Sequence, residues 1–172
     1  MLEIDLDTKQ LAHGLDQLLK NAINNRPMMR AIATEMVSLT EDNFESESWG
    51  GERWSDSVRS LSETLDPKRN KRGKTLQLTG QLAASISTKV GNGFAQIGSN
   101  KKYAAIHHFG GTIKAKNKPY LFFSVDGGGF RKVKSVNIPA RPYLPVNGTG
   151  QLQNGAEKKL IDIAIESLKA GL

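Results

Sequence analysis

Ser85-Ile86-Ser87-Thr88-Lys89-Val90-Gly91-Asn92-Gly93-Phe94-Ala95-Gln96-Ile97 decides how this 172-residue chain is read. Residues 85–90 alternate in polarity as a half-buried strand does. Gly91-Asn92-Gly93 can supply the positive φ of a tight turn, and residues 94–97 return as the partner strand. The same grammar recurs downstream. Tyr120-Leu121-Phe122-Phe123-Ser124-Val125 is the strongest strand pattern in the chain. Asp126-Gly127-Gly128-Gly129 turns it into Phe130-Arg131-Lys132-Val133-Lys134-Ser135-Val136, which predicts a second hairpin.

Helical patterns flank the hairpins. Leu11, Leu15, Leu18, Leu19, Ala22 and Ile23 recur at spacings of three and four, which predicts an amphipathic helix over 9–25, capped by Thr8 or Asp7. Asn24-Asn25 interrupts it. Pro27 suits the first turn of a second helix, because its missing N–H would be unpaired there anyway. That helix runs to about Phe44, so residues 1–44 read as a helical hairpin whose apolar faces bury against the domain or a neighbouring subunit. Thr79 caps a short helix ending near Ala84, and a second short helix over 104–109 stops at Gly110-Gly111. Ala156, Leu160, Ile161, Ala164, Ile165 and Leu168 mark an amphipathic helix within 150–172. The class is α+β in a single domain over 1–172: a small antiparallel sheet of two hairpins within 76–149, packed with the N-terminal helical hairpin and the C-terminal helix.

Between the helical hairpin and the β-rich part, residues 45–75 are polar, broken by Gly and Pro, and without period. They read as a long exposed loop, which in a compact domain is usually functional or disordered. Trp49 and Trp54 are unusual residents. Either they anchor the loop to the core, or they face a partner, since aromatics are enriched in interface cores.

Hydrophobic residues make up 38% of the chain and charged residues 24%, which fits a soluble protein with a modest core. No apolar run approaches the ~18 residues of a membrane span. The acidic start, Met1-Leu2-Glu3-Ile4-Asp5, has no apolar segment and is not expected to be a signal peptide. Without cysteine there is no disulfide framework and no thiolate metal site. These features place the chain in a cytosol, or in a particle assembled there.

The net charge of +7 conceals a division. Residues 1–67 carry six Lys or Arg against thirteen Asp or Glu, while residues 68–172 carry eighteen against four. In one reading the basic part meets a polyanion. In another, the acidic end of one subunit meets the basic end of the next, as a head-to-tail ring would use; plain solubility is a third.

Catalytic constellations are absent from the pattern. His107-His108 are neighbours, about 100° apart on a helix, and do not jointly face one ion. The only other histidine is His13, so no metal site is expected, and one of the adjacent pair is expected to pack structurally and hydrogen-bond the following turn. No Gly-x-Ser-x-Gly elbow exists, and Gly127-Gly128-Gly129 leads into a strand and so lacks the helix terminus a phosphate loop requires. No enzyme, cofactor or small-molecule substrate is expected. Lys68, Arg69, Lys71, Arg72 and Lys74 form the best nucleic-acid candidate, with Lys101-Lys102 and Lys114, Lys116 and Lys118 in reserve; the bland alternative is a solvated loop. In Ile138-Pro139-Ala140-Arg141-Pro142-Tyr143-Leu144, Pro139 and Pro142 stiffen the backbone around Arg141. A rigid arginine suits a buried ion pair or a subunit interface, or the segment merely ties the last strand to the terminal helix.

Several segments in order carry a resemblance: Leu78-Thr79-Gly80-Gln81-Leu82, Ile97-Gly98-Ser99, Tyr103-Ala104-Ala105-Ile106-His107 ending in Gly110-Gly111, and Ile138-Pro139-Ala140-Arg141-Pro142-Tyr143. With Trp54 and the basic run upstream, the chain resembles the phage virion morphogenesis family over nearly its whole length. It departs mildly, with His108 where Gln is common and Tyr143 where Phe is common. The resemblance implies a late structural protein that completes a phage tail or joins it to the head, as a ring-like homo-oligomer in contact with tail or neck proteins. It implies a place in the virion, after assembly in the host bacterial cytoplasm; the competing reading, from the charge pattern, is a basic nucleic-acid-binding module using the Lys68–Lys74 loop. His107, Gly110, Gly111, Pro139 and Pro142 would then be structural.

Overall fold

A computed structural model of the chain describes residues 8–57, 74–125 and 129–172. Its architecture is α+β, with helices at both ends and antiparallel strand pairs between them. Helix α1 spans Lys9–Ile23 and α2 spans Arg26–Ser46, with Pro27 in the first turn of α2, where no intrahelical N–H is needed. Thr8 precedes α1 without making a side-chain capping bond. Helix α2 ends where Glu47 takes φ 53°, a left-handed cap.

The two arms of the helical hairpin meet the molecule differently. Helix α2 buries Ala33, Leu39, Thr40, Asn43 and Phe44. Helix α1 leaves its leucine stripe outside: Leu11, Leu15, Leu19 and Ile23 are 57–65% exposed. Its other side meets the C-terminal helix α4, Ala156–Lys169, through Asn21, whose amide donates to the carbonyls of Leu168 at 2.8 Å and Ala170 at 2.9 Å. Helix α4 also lies along α2, where Lys159 reaches Glu35 at 2.8 Å.

The expected exposed loop after α2 is partly ordered into strands. Strand β1, Ser48–Trp49, pairs with β2, Glu52–Arg53, across Gly50 at φ 57° and Gly51 at φ 94°. Two consecutive positive φ values are what the favoured two-residue hairpin turn demands, and glycine meets them without strain. A 3₁₀ turn, Ala83–Ser85, stands where a Thr79-capped helix is expected, and no side chain caps it.

The first expected hairpin is present as β3, Ile86–Gly91, against β4, Phe94–Ser99, with Asn92-Gly93 at the tip. That tip is clamped to the α1–α2 corner. The Asn25 amide N–H donates to Asn92 Oδ1, Asn92 Nδ2 donates to the Ile23 carbonyl, and the Gly93 N–H donates to Asn25 Oδ1.

Helix α3, Ala104–Phe109, follows, and then a two-stranded arm leaves the body. Strand β5, Gly111–Lys114, pairs with β8, Ser135–Ile138; inside that pair, β6, Leu121–Val125, meets β7, Gly129–Val133. The turn expected at Asp126-Gly127-Gly128 lies outside the described residues.

The core is small. Phe44, Trp54, Leu82, Ala104 and Tyr143 are buried together, with Trp49, Leu76, Ala83, Ile86 and Leu144 packed around them. Phe44 stacks on Tyr143 at 5.4 Å between ring centroids and takes the edge of Trp54 at 5.9 Å. Such pairs contribute about 0.5–1.5 kcal/mol each beyond the area they bury.

Gly110 shows how closely the arm's root is fitted. Its φ is 71°, and a Cβ there would stand 2.6 Å from the Ala140 backbone nitrogen. The neighbour is main chain and cannot rotate away. Replacing Gly110 with Ala is expected to cost about 1–3 kcal/mol from the backbone conformation alone, read as a lower urea midpoint with an unchanged m-value. A variant as stable as the parent would show that the root has room.

Candidate functional site

The proline-stiffened segment runs into a densely hydrogen-bonded stretch. Residues 142–146 present five consecutive carbonyls, and each receives a donor from elsewhere. Trp54 Nε1 donates to Pro142 at 2.8 Å, Asn43 Nδ2 to Tyr143 at 3.2 Å, and Trp49 Nε1 to Leu144 at 3.0 Å. The Gln153 N–H donates to Pro145 at 2.8 Å, and His108 Nε2 approaches Val146 at 2.8 Å. A segment that joins no strand pair, beyond the one Val146–Leu152 bridge, must find partners for its carbonyls one by one. Here α2, the β1–β2 hairpin with the residue that follows it, α3 and the stretch before α4 supply them. Prolines at 142 and 145 remove two N–H groups that would otherwise need acceptors.

The histidines divide their roles in a way the sequence does not reveal. The packing role falls to His108, which is buried, rather than to His107. The Tyr143 N–H donates to His108 Nδ1 at 3.2 Å, so Nδ1 is the acceptor and the proton sits on Nε2, facing the Val146 carbonyl. This wiring requires a neutral ring. Burial holds its pKa below the ordinary histidine value of 6.5, and the hydrogen bond to Val146 only partly opposes that. His107 is also held low, by burial first and then by the charge of Arg141. The His107 carbonyl accepts the Arg141 N–H at 2.8 Å, and its Nδ1 finds no hydrogen-bond partner among the described residues. Among those residues no group of three His, Cys, Asp or Glu side chains is placed to hold a metal ion.

Arg141 is buried and turned inward. Its Nε donates to the Ser55 carbonyl at 2.9 Å and its Nη2 to the Asp56 carbonyl at 3.1 Å. The planar fork therefore fastens the chain just after β2. Trp54 is 5% exposed within the core and the half-buried Trp49 packs against it, both with indole N–H groups hydrogen-bonded, so both tie their segment to the body. Pro139 and Pro142 lie in this segment, and Gly110 and Gly111 at the arm's root. A Cβ on Gly111, at φ 140°, would touch Ile106 at 3.0 Å. Of the basic run, Lys74 Nζ donates to the Glu45 carbonyl at 3.2 Å, while Lys68, Arg69, Lys71 and Arg72 lie outside the described residues.

What sequence reasoning missed is the exposed side of the arm. In the β6–β7 register Phe122 opposes Lys132 and Ser124 opposes Phe130, which puts Phe122, Phe130 and Lys132 on one face. The two phenyls stack at 5.1 Å and 7° while each remains 68% exposed. Lys132 lies 4.3 Å over the Tyr120 ring. Back on the body, an open groove of about 600 Å³ runs between α2 and the 3₁₀ turn, lined by Val37, Phe44, Ala83 and Ile86 with the charged Glu41, Glu45 and Lys74. The pairing register carries the aromatic face, and a strand pattern alone does not say whether a strand is covered. No helix of the described residues is long and apolar enough to cross a membrane.

The chain matches the profile of the phage virion morphogenesis family over residues 6–169. It is similar to the putative capsid assembly protein G of Escherichia phage Mu, 32% identical over 157 residues covering 87% of this chain and 86% of that one. It is also similar to the Mu-like prophage FluMu G protein 2 of Haemophilus influenzae, 32% identical over 145 residues covering 84% and 83%. No solved structure matches.

The neutral ring of His108 sets a pH dependence. With the folded pKa below the unfolded one, its contribution is complete above pH 6.5 and is lost as pH falls from there through the folded value. His108→Gln is expected to cost about 1–3 kcal/mol at neutral pH and to lose less on acidification from pH 7 to 5 than the parent does. Urea midpoints across that range check it; equal acid slopes would remove His108 as the titrating group.

Proposed function

The chain belongs to the phage virion morphogenesis family, and from that premise we propose that it completes the tail or joins it to the head by associating with copies of itself and with tail or neck proteins. A structural part in phage assembly is what the family shares. The finer placement is supported by one observation above the others: a small buried core carries large apolar side chains outward, on α1 and on the arm. Exposed apolar surface of that kind marks interaction sites. The charge division supports the same reading, because a heterologous contact uses two different surfaces of one chain. A scaffold built to meet neighbours also has no need of an active site, so the activity is non-enzymatic.

The names of the relatives sharpen the test, since the phage Mu protein is called a putative capsid assembly protein. Deleting the gene from the phage or prophage that encodes it is expected to leave closed, DNA-filled heads and separate tails, seen by negative-stain microscopy of lysates. Particle yield should return when the gene is supplied in trans. Loss of closed heads would move the role to the capsid, and normal infectious particles would refute an assembly role.

A further inference from the structure

We propose that the aromatic face of the arm on one copy seats in the α2 groove of the next. This rests on the reading that the chain self-associates and names the two surfaces that do it. The arm between residues 111 and 138 carries Lys114, Lys116, Lys118, Arg131, Lys132 and Lys134 against a single acid, Asp126. None of those cations is in an ion pair among the described residues. Phe122 and Phe130 stand in water as one stacked unit beside Lys132. Left free, a phenyl pair at the end of a ribbon forgoes the burial of about 150–250 Å² that each ring provides in a core or interface.

The groove offers an apolar floor and two carboxylates, with Lys74 as the one cation among its described lining residues. Its half-buried apolar lining, Val37 and Ile86 with Phe44 beneath, offers about 600 Å³, inside the range of about 300–1,000 Å³ typical of sites that take a compact ligand. Glu41 and Glu45 are exposed along it, and neither carboxylate is in an ion pair among the described residues. Seating the phenyls there brings Lys132, which shares their face, to the two glutamates. A duplex phosphate backbone would use the cations and leave both phenyls in water; the groove uses both. Because arm and groove are different surfaces, the contact is head-to-tail. It generates a ring where the rotation closes.

The absence of cysteine makes a direct test available in the full chain. Lys132→Cys and Glu45→Cys are made separately and oxidised with copper phenanthroline. Mixed together, the two single variants are expected to give one disulfide-linked heterodimer and nothing larger. A chain carrying both is expected to give a ladder. Phe122→Ser with Phe130→Ser, which touches no core residue, should weaken the association at least about tenfold and abolish the cross-link. Cross-links between Lys132→Cys chains alone would mean an arm-to-arm contact and overturn the proposal. A cross-link to Leu15→Cys in place of Glu45→Cys would put the seat on the α1 stripe, and overturn it too. So would failure to cross-link while the arm binds duplex DNA in a salt-dependent way. Failure here, with unjoined heads and tails still seen on gene deletion, would reject these surfaces and leave the assembly role standing.

Discussion

Five neighbouring carbonyls, those of residues 142–146, need donors in a segment that belongs to none of the described strand pairs and meets another strand only at the single Val146–Leu152 bridge. That constraint organises the molecule. Two indoles, one asparagine, one histidine and one backbone N–H reach in from four parts of the chain to meet them. Each donor is constrained in position because its N–H must point at the oxygen from about 2.7–3.2 Å. Asn43 is the most tightly held: the same amide nitrogen reaches the Gln153 side chain at 2.6 Å, and its oxygen accepts the Gly50 N–H at 3.3 Å. An unmet polar group in such a site costs about 1–3 kcal/mol, so the network favours one arrangement over near alternatives.

The consequences extend to the surface. Because polar wiring and a few aromatic rings hold the centre, the chain does not need every apolar side chain for its own fold. The leucines of α1 and the phenyls of the arm stay exposed. Arg141 belongs to the same economy, spending its guanidinium on the carbonyls of Ser55 and Asp56 and so fixing the chain that follows β2. The arm is fixed at its root by Gly110 against Ala140, while its aromatic face stays open. A rigid centre with open extremities suits a part that is itself assembled.

Much of this is legible in the sequence where the determinants are local. The β3–β4 hairpin follows from alternation around Asn92-Gly93, and α2 from its apolar spacing and Pro27. The stop of α3 follows from Gly110-Gly111. What is not legible depends on partners far along the chain. Trp54 meets its acceptor 88 residues away and Trp49 meets its own 95 away, so nothing near either residue says whether it points in or out. Gly50-Gly51 looks like a breaker, yet its paired positive φ values make a turn. His107 and His108 have the same local signal, and only the Tyr143 N–H and the Val146 carbonyl tell them apart. The richest strand, residues 120–125, is rich because of an exposed face, which composition reads as core. The family resemblance covers the site segments but does not distinguish their inward residues from their outward ones.

Native-state hydrogen exchange at the Tyr143 and Gln153 amides tests the central claim most directly. Both N–H groups belong to the network, one donating to His108 and the other to Pro145. If the row of carbonyls is what the fold depends on, both amides exchange only through global unfolding. Their opening free energies should then equal the stability from urea denaturation and fall with the same denaturant slope. Exchange by a local opening, with the amides of α2 still protected, would show that the segment can leave while the fold remains, and would contradict the account.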